Sequence, residues 1–482
     1  MNNKYYITAA IPYVNGKPHI GHALEFVQTD VISRYHRLMR KEVIYLSGAD
    51  ENGLKMVQAA ERENLPVQEF CDRNAQKFIE IFKKLNTTLD FFQRASSKIH
   101  KKGSQELWKL CEKNGDIYKK KYKGLYCVGC ETFYTKDELV DGKCPEHLKV
   151  PEVVEEENYF FKLSKYEKPL LKLFEENKIK IVPEHRKNEV ISFIKQGLED
   201  LSISRSKERA KGWGVAVPND EKQIIYIWFD ALNVYQTGVG FGTDEKKYQK
   251  WWPADTHVIG KGILRFHAIY WPAILLSAHL ELPKTILVHG YVNSGGQKMS
   301  KSLGNVIDPF IEIEKYGVDA IRYYLLSQIL PTEDGDYNGE QFKKAYNGDL
   351  ANGLGNVVAR IAKLCEKSGL KFESNKTEFK DTLKEHKFHK VLEIFQFDSA
   401  LKIIWEKIKK LDQRINNEKP WEVIKDPKQQ DKIKTILSFY VQEIREIACL
   451  LEPFLPDTSQ KIKRQFSGKE IQSEGPLFPR LI

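Results

Sequence analysis

The sequence predicts an α/β protein: a parallel-sheet body, broken by a small insertion and followed by an all-α helix bundle. Three observations predict it. A strand, a helix and a second strand follow one another in about the first fifty residues, the opening of a parallel sheet. Apolar runs resume beyond position 220, each closing on polar or glycine-containing sequence. From about position 340 Gly and Pro become scarcer, and apolar residues recur at helical spacing.

The elements follow in order. Tyr5, Tyr6 and Ile7, continuing through Ala9, Ala10 and Ile11, read as a buried strand. After the turn Asn15-Gly16-Lys17-Pro18, the positions Ala23, Phe26, Val27, Val31, Tyr35 and Leu38 define a helix face. Val43–Leu46 is a second strand, ending at Ser47-Gly48-Ala49-Asp50. The sheet is expected to resume at Gln223–Phe229, Thr256–Ile259 and Thr285–Val288, ending at Asp230, Gly260-Lys261-Gly262 and His289-Gly290. Ligands of open α/β sheets bind beyond the carboxyl ends of strands, so these are the expected chemical positions. Leu354, Val357, Val358, Ile361, Leu364 and Cys365 form one face of the helical part. Phe397, Leu401, Ile404, Trp405 and Ile408 form another. The tail after Phe466 is less patterned, and Pro476-Leu477-Phe478-Pro479 is expected to dock back on the body. The division is then a Rossmann-like domain over 1–114 and 223–340, an insertion over 115–222, and a helical domain with tail over 341–482.

Composition suits this reading. A chain of 482 residues with 41% hydrophobic residues supports more than one core. No apolar run is long enough to span a bilayer, and Met1-Asn2-Asn3-Lys4 lacks a signal-peptide pattern, so cytoplasm is the expected compartment. A net charge of +10 suits a polyanionic partner without requiring one. Seven cysteines argue against a full disulfide framework.

Two motifs carry the chemistry. Pro18-His19-Ile20-Gly21-His22 sits at a strand-to-helix turn, where backbone N–H groups and the helix dipole favour phosphate. Gly21 allows a ring such as adenine to approach closely. Lys298-Met299-Ser300-Lys301-Ser302 follows Gly295-Gly296, glycines read as a flexible base, and its ammonium groups can neutralise a leaving pyrophosphate. Singly, a capped helix with surface histidines and a basic loop would explain them. Together they read as two halves of one ATP site. No Walker-type P-loop is present. In the insertion, Cys127-x-x-Cys130 and Cys144-x-x-His147 have the spacing of a closed, structural zinc knuckle. A redox C-x-x-C or unmetallated thiols are the alternatives, but a redox pair does not need the second pair.

Paired in this order, the two motifs are the signature of class I aminoacyl-tRNA synthetases. Over nearly its whole length the chain resembles the methionyl-tRNA synthetases, of bacterial type with one zinc knuckle. The resemblance rests also on Ala9-Ala10-Ile11-Pro12-Tyr13, Gly48-Ala49-Asp50-Glu51-Asn52-Gly53, Tyr226-Ile227-Trp228-Phe229-Asp230-Ala231 and Phe266-His267-Ala268-Ile269-Tyr270-Trp271-Pro272-Ala273. It implies that Ile11, Tyr13, Asp50, Trp228, Ala231, Tyr235, Ile263 and His267, with Trp271 one helical turn on, form a methionine pocket. Asp50 would hold the ammonium group, and aromatic rings suit a thioether. His19, Gly21, His22, Arg205, Lys298 and Lys301 would serve ATP, accompanied by Mg²⁺. Asn356, Arg360 and Trp421 match anticodon readers. Asn356 and Arg360 share one helix face, and a tryptophan, an amide and a guanidinium can stack and bond splayed bases. Two positions depart from the family: Asn52 replaces the usual histidine, and Gly262 replaces an aspartate expected near the ATP ribose.

The implied activity is formation of methionyl-adenylate and pyrophosphate, then transfer of methionine to the 3′-terminal adenosine of initiator and elongator tRNA(Met). Isoleucyl, valyl and leucyl relatives carry a large editing domain, which the short insertion cannot hold. A cysteinyl relative would need an open metal site. A non-catalytic RNA-binding relative has no use for the two motifs, and a small nucleotidyltransferase has none for the helical domain. The chain ends soon after that domain, so a monomer is expected.

Overall fold

The computed structural model describes residues 3–128, 132–146, 148–299, 304–374, 378–379 and 387–481. They form two compact units: 1–18, 43–82 and 89–289 make the first, and 19–42, 83–88 and 290–482 the second.

The first unit is built on a six-stranded sheet. Its order is Phe91–Arg94, Glu42–Ala49, Lys4–Ala9, Thr256–Gly260, Thr285–His289 and Lys180–Val182. Ile7, Thr8 and Ala9 lie opposite Thr256, His257 and Val258 in parallel register, and Val258 and Ile259 lie opposite Leu287 and Val288. Tyr6, Ile7, Val258, Ile259, Leu287 and Val288 are all fully buried. Strands covered on both faces are largely apolar for this reason, and their buried polar exceptions bond to one another, Thr8 Oγ1 lying 2.6 Å from His257 Nδ1. At the carboxyl ends, a parallel bridge joins Tyr13 to Asp50, and Asp50 N–H donates to Pro12 O at 2.9 Å. Gly48 is required here, because a Cβ would lie 2.0 Å from Gln93 O.

The segment 223–229 departs from expectation. The strand there is Asp220–Ile225, pairing antiparallel with Ser204–Ser206 and Ala216–Val217 in a separate three-stranded sheet. It gives way to a helix over Ile227–Ala231. A short apolar run fits a buried strand or a buried helical turn equally, and only its neighbours decide. Within 115–222 a four-stranded antiparallel sheet runs in the order Thr132–Tyr134, Ile117–Cys127, Glu152–Phe161 and Leu201–Ser202, beside helices Glu167–Glu175 and Glu184–Lys195, whereas Lys180–Val182 joins the six-stranded sheet.

The second unit is mainly helical. Its first helix, Ile20–Leu38, buries Ala23, Phe26, Val27, Val31 and Tyr35 of the face expected from spacing and leaves Leu38 partly exposed. Helices Asn356–Ser368 and Phe397–Glu418 likewise bury the expected apolar faces, apart from a partly exposed Trp405. The tail docks within this unit: Phe478 packs edge-on against Tyr346 at 5.9 Å, and Asn347 exchanges hydrogen bonds of 2.9 Å with the backbone of Leu481. Among the described residues no helix is long and apolar enough to cross a membrane.

A buried ion pair organises this unit. Asp30 and Arg322 are fully buried, 2.8 Å apart. Arg322 also donates to Leu85 O, Pro453 O and Phe454 O, and Asp30 accepts from Arg34 and from the backbone and hydroxyl of Thr88. Burial raises the Asp30 pKa, but Arg322, Arg34 and Thr88 outweigh it and hold the carboxyl below its usual range.

Asp30→Asn leaves Arg322 buried without its counter-charge and should cost about 3–5 kcal/mol in urea unfolding. Because the folded pKa is depressed, the Asp30 contribution is complete above the unfolded value and lost as pH falls through the folded one. The gap between native and variant proteins should therefore close in acid; a gap constant with pH would refute the ionised pair.

Candidate active site

The expected phosphate-binding groups begin at the N-terminus of helix Ile20–Leu38. His19 is its N-cap: its Nδ1 accepts from Gly21 N–H at 3.1 Å, while His22 Nδ1 accepts from His19 N–H at 3.2 Å. The two ring centres are 3.8 Å apart, with the planes tilted by 31°. A neutral imidazole that accepts at Nδ1 carries its proton on Nε2, so both rings are donors at that atom. Gly21 has a local reason to be glycine. A Cβ there would lie 3.0 Å from the His19 ring, crowding the cap.

The lysine motif reaches the same unit's helix start. A Cβ built on Gly21 would be 3.9 Å from Met299 Cε, and Ile20 N–H donates to Ile307 O at 3.1 Å. Gly295 and Gly296, read as a flexible base, instead form a two-residue hairpin turn with φ of 62° and 74°. Positive φ at both positions is what such a turn needs. Lys298 is exposed on the returning strand, its ammonium 5.2 Å from the Tyr291 ring. Lys301 lies outside the described residues.

The residues expected around methionine all fall in the first unit. Trp228, Ala231, Tyr235 and Trp271 belong to its main apolar cluster, with Ile11, Tyr13 and Ile263 packed half-buried against it. Tyr13 meets Trp228 edge-on at 6.2 Å, and Asp50 is 2% exposed. Phe266 stacks flat on Trp228 at 3.6 Å. Sequence reasoning did not assign Phe266 a role, although it directly precedes His267.

His267 can be assigned a protonation state. Burial pushes its pKa down to about 4, against a smaller opposing effect of the Ile263 carbonyl. A carbonyl only accepts, so Nδ1–H donates to Ile263 O at 2.9 Å, and Nε2 accepts from the Tyr235 hydroxyl at 2.8 Å. Tyr235 O in turn accepts from Tyr6 OH at 2.5 Å. Ile263, His267 and Trp271 keep their four-residue spacing across a short 3₁₀ turn, a π turn over Phe266–Tyr270 and the start of an α-helix.

Arg205 is on strand Ser204–Ser206 of the first unit. It donates to Ser202 Oγ at 2.9 Å and lies 4.4 Å from the Tyr226 ring centre and 4.8 Å from that of Phe133. Asn52 is buried and bonded, whereas Gly262 is exposed on the turn Lys261–Ile263. Of the four expected zinc ligands, Cys127 ends a strand and Cys144 is fully buried in a turn closed by Leu148 N–H to Cys144 O at 2.8 Å. Both are thiols, the soft donor type that zinc takes. Cys130 and His147 lie outside the described residues, and among the described residues no three potential ligands converge.

In the second unit, Asn356 is exposed at the start of its helix, one turn before Arg360. Arg360 donates to Asp412 Oδ1 at 2.5 Å and Asn416 Oδ1 at 2.7 Å, and its guanidinium lies 5.9 Å from the ring of Trp421. Trp421 is 39% exposed, a surface ring and not a core one.

Comparison with known proteins gives a consistent result. The family model described as tRNA synthetases class I (M) matches residues 5–150 and 146–362. The methionine–tRNA ligase of Thermotoga maritima is 41% identical across 98% of this chain and 77% of its own length. That of Brucella suis is 40% identical across 99% and 98%. The solved structure of Mycobacterium tuberculosis methionyl-tRNA synthetase with methionyl-adenylate superposes with a TM-score of 0.92 at 37% identity, covering 99% of this chain and all of the other.

His267 should remain neutral throughout pH 5–8. Its ring resonances in a histidine-labelled sample should not move until pH approaches about 4; a midpoint near 6.5 would overturn the assigned hydrogen bonds.

Proposed function

The chain belongs to the class I tRNA synthetases of the methionyl kind, and from that premise we propose which of its residues perform each step. It activates methionine with ATP and charges tRNA. The observation that carries the residue assignment is the pair His19 and His22, each fixed by a backbone N–H at Nδ1 and so presenting Nε2–H as a donor at a helix N-terminus.

Two donors and a positive dipole end suit the α- and β-phosphates of ATP. Lys298 and Lys301 hold the pyrophosphate as charge builds on it, an effect greatest in the transition state. Mg²⁺ bound with ATP would supply part of that neutralisation. The methionine carboxylate attacks the α-phosphorus in line, and pyrophosphate leaves. The protein contributes positioning and charge, without a covalent intermediate. Asp50 binds the ammonium group. Ile11, Tyr13, Trp228, Ala231, Tyr235, Ile263, His267 and Trp271 surround the thioether side chain. A neutral His267 suits that role, since an imidazolium beside the uncharged side chain would be costly to bury. Arg205, by its match to a family arginine, serves the adenylate. Transfer to the 3′-terminal ribose of tRNA(Met) completes the cycle.

Asn356, Arg360 and Trp421 read the anticodon: Arg360 is oriented by Asp412 and Asn416, and Trp421 exposes a stacking face. Cys127, Cys130, Cys144 and His147 hold one structural zinc, which would stabilise the insertion at 115–222. A cytoplasmic monomer completes the proposal.

Amino-acid-dependent ATP–pyrophosphate exchange should proceed with methionine and not with cysteine, isoleucine, leucine or valine. Lys301→Ala should slow exchange by at least about a hundredfold, the scale of one lost transition-state donor, with little change in methionine KM. Equal effects on both would remove Lys301 from phosphate handling. Trp421→Ala should lower tRNA charging by roughly tenfold or more, the loss of one base stack, and spare exchange. Loss of both activities would make Trp421 structural.

A further inference from the structure

Beneath the residues assigned to methionine lies a buried polar chain to which no role has been given. The Asn52 amide donates to Ala95 O at 2.9 Å and to Asp230 Oδ2 at 2.6 Å. Asp230 Oδ1 is 3.0 Å from His100 Nε2, and His100 Nδ1 is 2.9 Å from Thr237 Oγ1. Ser104 Oγ adds a contact of 3.2 Å to His100 Nε2. Asn52, Asp230, His100, Thr237 and Ser104 are all buried. Both Ala95 O and the carboxylate can only accept, so the amide orientation is determined: the NH₂ group faces them. Asn52 Oδ1 is left buried with no hydrogen-bond partner among the described residues. A fold that tolerates that cost at one end of the side chain holds the other end for a reason.

The chain joins the pieces of the pocket. Asn52 lies two residues beyond Asp50. Asp230 sits between Trp228 and Ala231 on the helix Ile227–Ala231. Thr237 ends the helix Val234–Thr237, which carries Tyr235. The neighbouring charges are already satisfied: Glu51 accepts from Arg94 at 2.8 Å and from Ser96 N–H at 3.0 Å.

We propose that Asn52, Asp230 and His100 form a positioning brace that sets the distance between the ammonium-binding Asp50 and the aromatic wall of the methionine pocket. None of the three touches methionine. Asn52 is the keystone, because its single amide group bridges the Asp50 segment to Asp230. The brace rests on the pocket assignment proposed above.

The test is steady-state exchange kinetics with the full-length protein. Asn52→Ala should raise methionine KM by about ten- to hundredfold, the loss of one hydrogen bond to a buried charge. The KM for ATP and kcat should stay within about twofold, a split that general destabilisation would not produce. Asn52→His supplies a ring N–H toward Asp230 and should restore most of the methionine affinity. An unchanged methionine KM in Asn52→Ala, or equal rises in both KM values, overturns the brace. Should Asn52→Ala fail to fold, Thr237→Val breaks only the far contact and must raise methionine KM in the same direction; no change there overturns it equally. Asp50→Ala separates the two readings. If it leaves methionine KM unchanged, the pocket assignment has failed; if it raises KM while Asn52→Ala does not, only the brace has failed.

Discussion

The carboxylate of Asp30 is the point on which the second unit turns. It sits fully buried in the middle of helix Ile20–Leu38, opposite the fully buried guanidinium of Arg322. Neither charge survives in a low-dielectric interior without the other. Arg322 spends its remaining donors on the backbone carbonyls of Leu85, Pro453 and Phe454, so one side chain ties together segments far apart in sequence. The helix so anchored is the one whose N-terminus presents His19 and His22. Orientation of those imidazoles follows from anchoring the helix, since donors contribute to catalysis only where they are already aimed.

In the first unit the governing constraint is different. Most of the methionine-side residues belong to or pack against an apolar cluster that includes Tyr6, Ile259, Ile286 and Val288 of the sheet, and polar atoms there are best satisfied internally. The run from Tyr6 through Tyr235 to His267 and Ile263 O does this without any net charge. A neutral Tyr235–His267 pair is suitable beside an uncharged thioether, and Asp50 supplies the one charge that the ammonium group of an amino acid requires.

Much of this was legible in the linear sequence, for reasons of period and spacing. The central strands are largely apolar because both faces are covered. The helix faces of 356–368 and 397–418 are visible because side chains repeat every 3.6 residues. The two ATP motifs could be recognised because each is contiguous. The segment at 223–229 was misread because its apolar run carries no mark of which sheet it joins, or whether it bends into a helix. The glycines at 295 and 296 read as flexibility, whereas paired positive φ values make them a defined turn.

By itself the sequence determined the family, the sheet-then-bundle order of elements, and the residue types available for phosphate, amino acid and base recognition. All are encoded locally, in motifs or in periodicity. Only the tertiary structure decided the rest: which imidazole nitrogen carries the proton, that His267 is neutral, that Phe266 covers Trp228, and that Asn52, Asp230 and His100 form one chain. The imidazole protons follow from the local geometry of a helix cap, and the others depend on partners tens to hundreds of residues away. Burial and hydrogen-bond geometry are properties of what surrounds a side chain, and a one-dimensional pattern does not contain its surroundings.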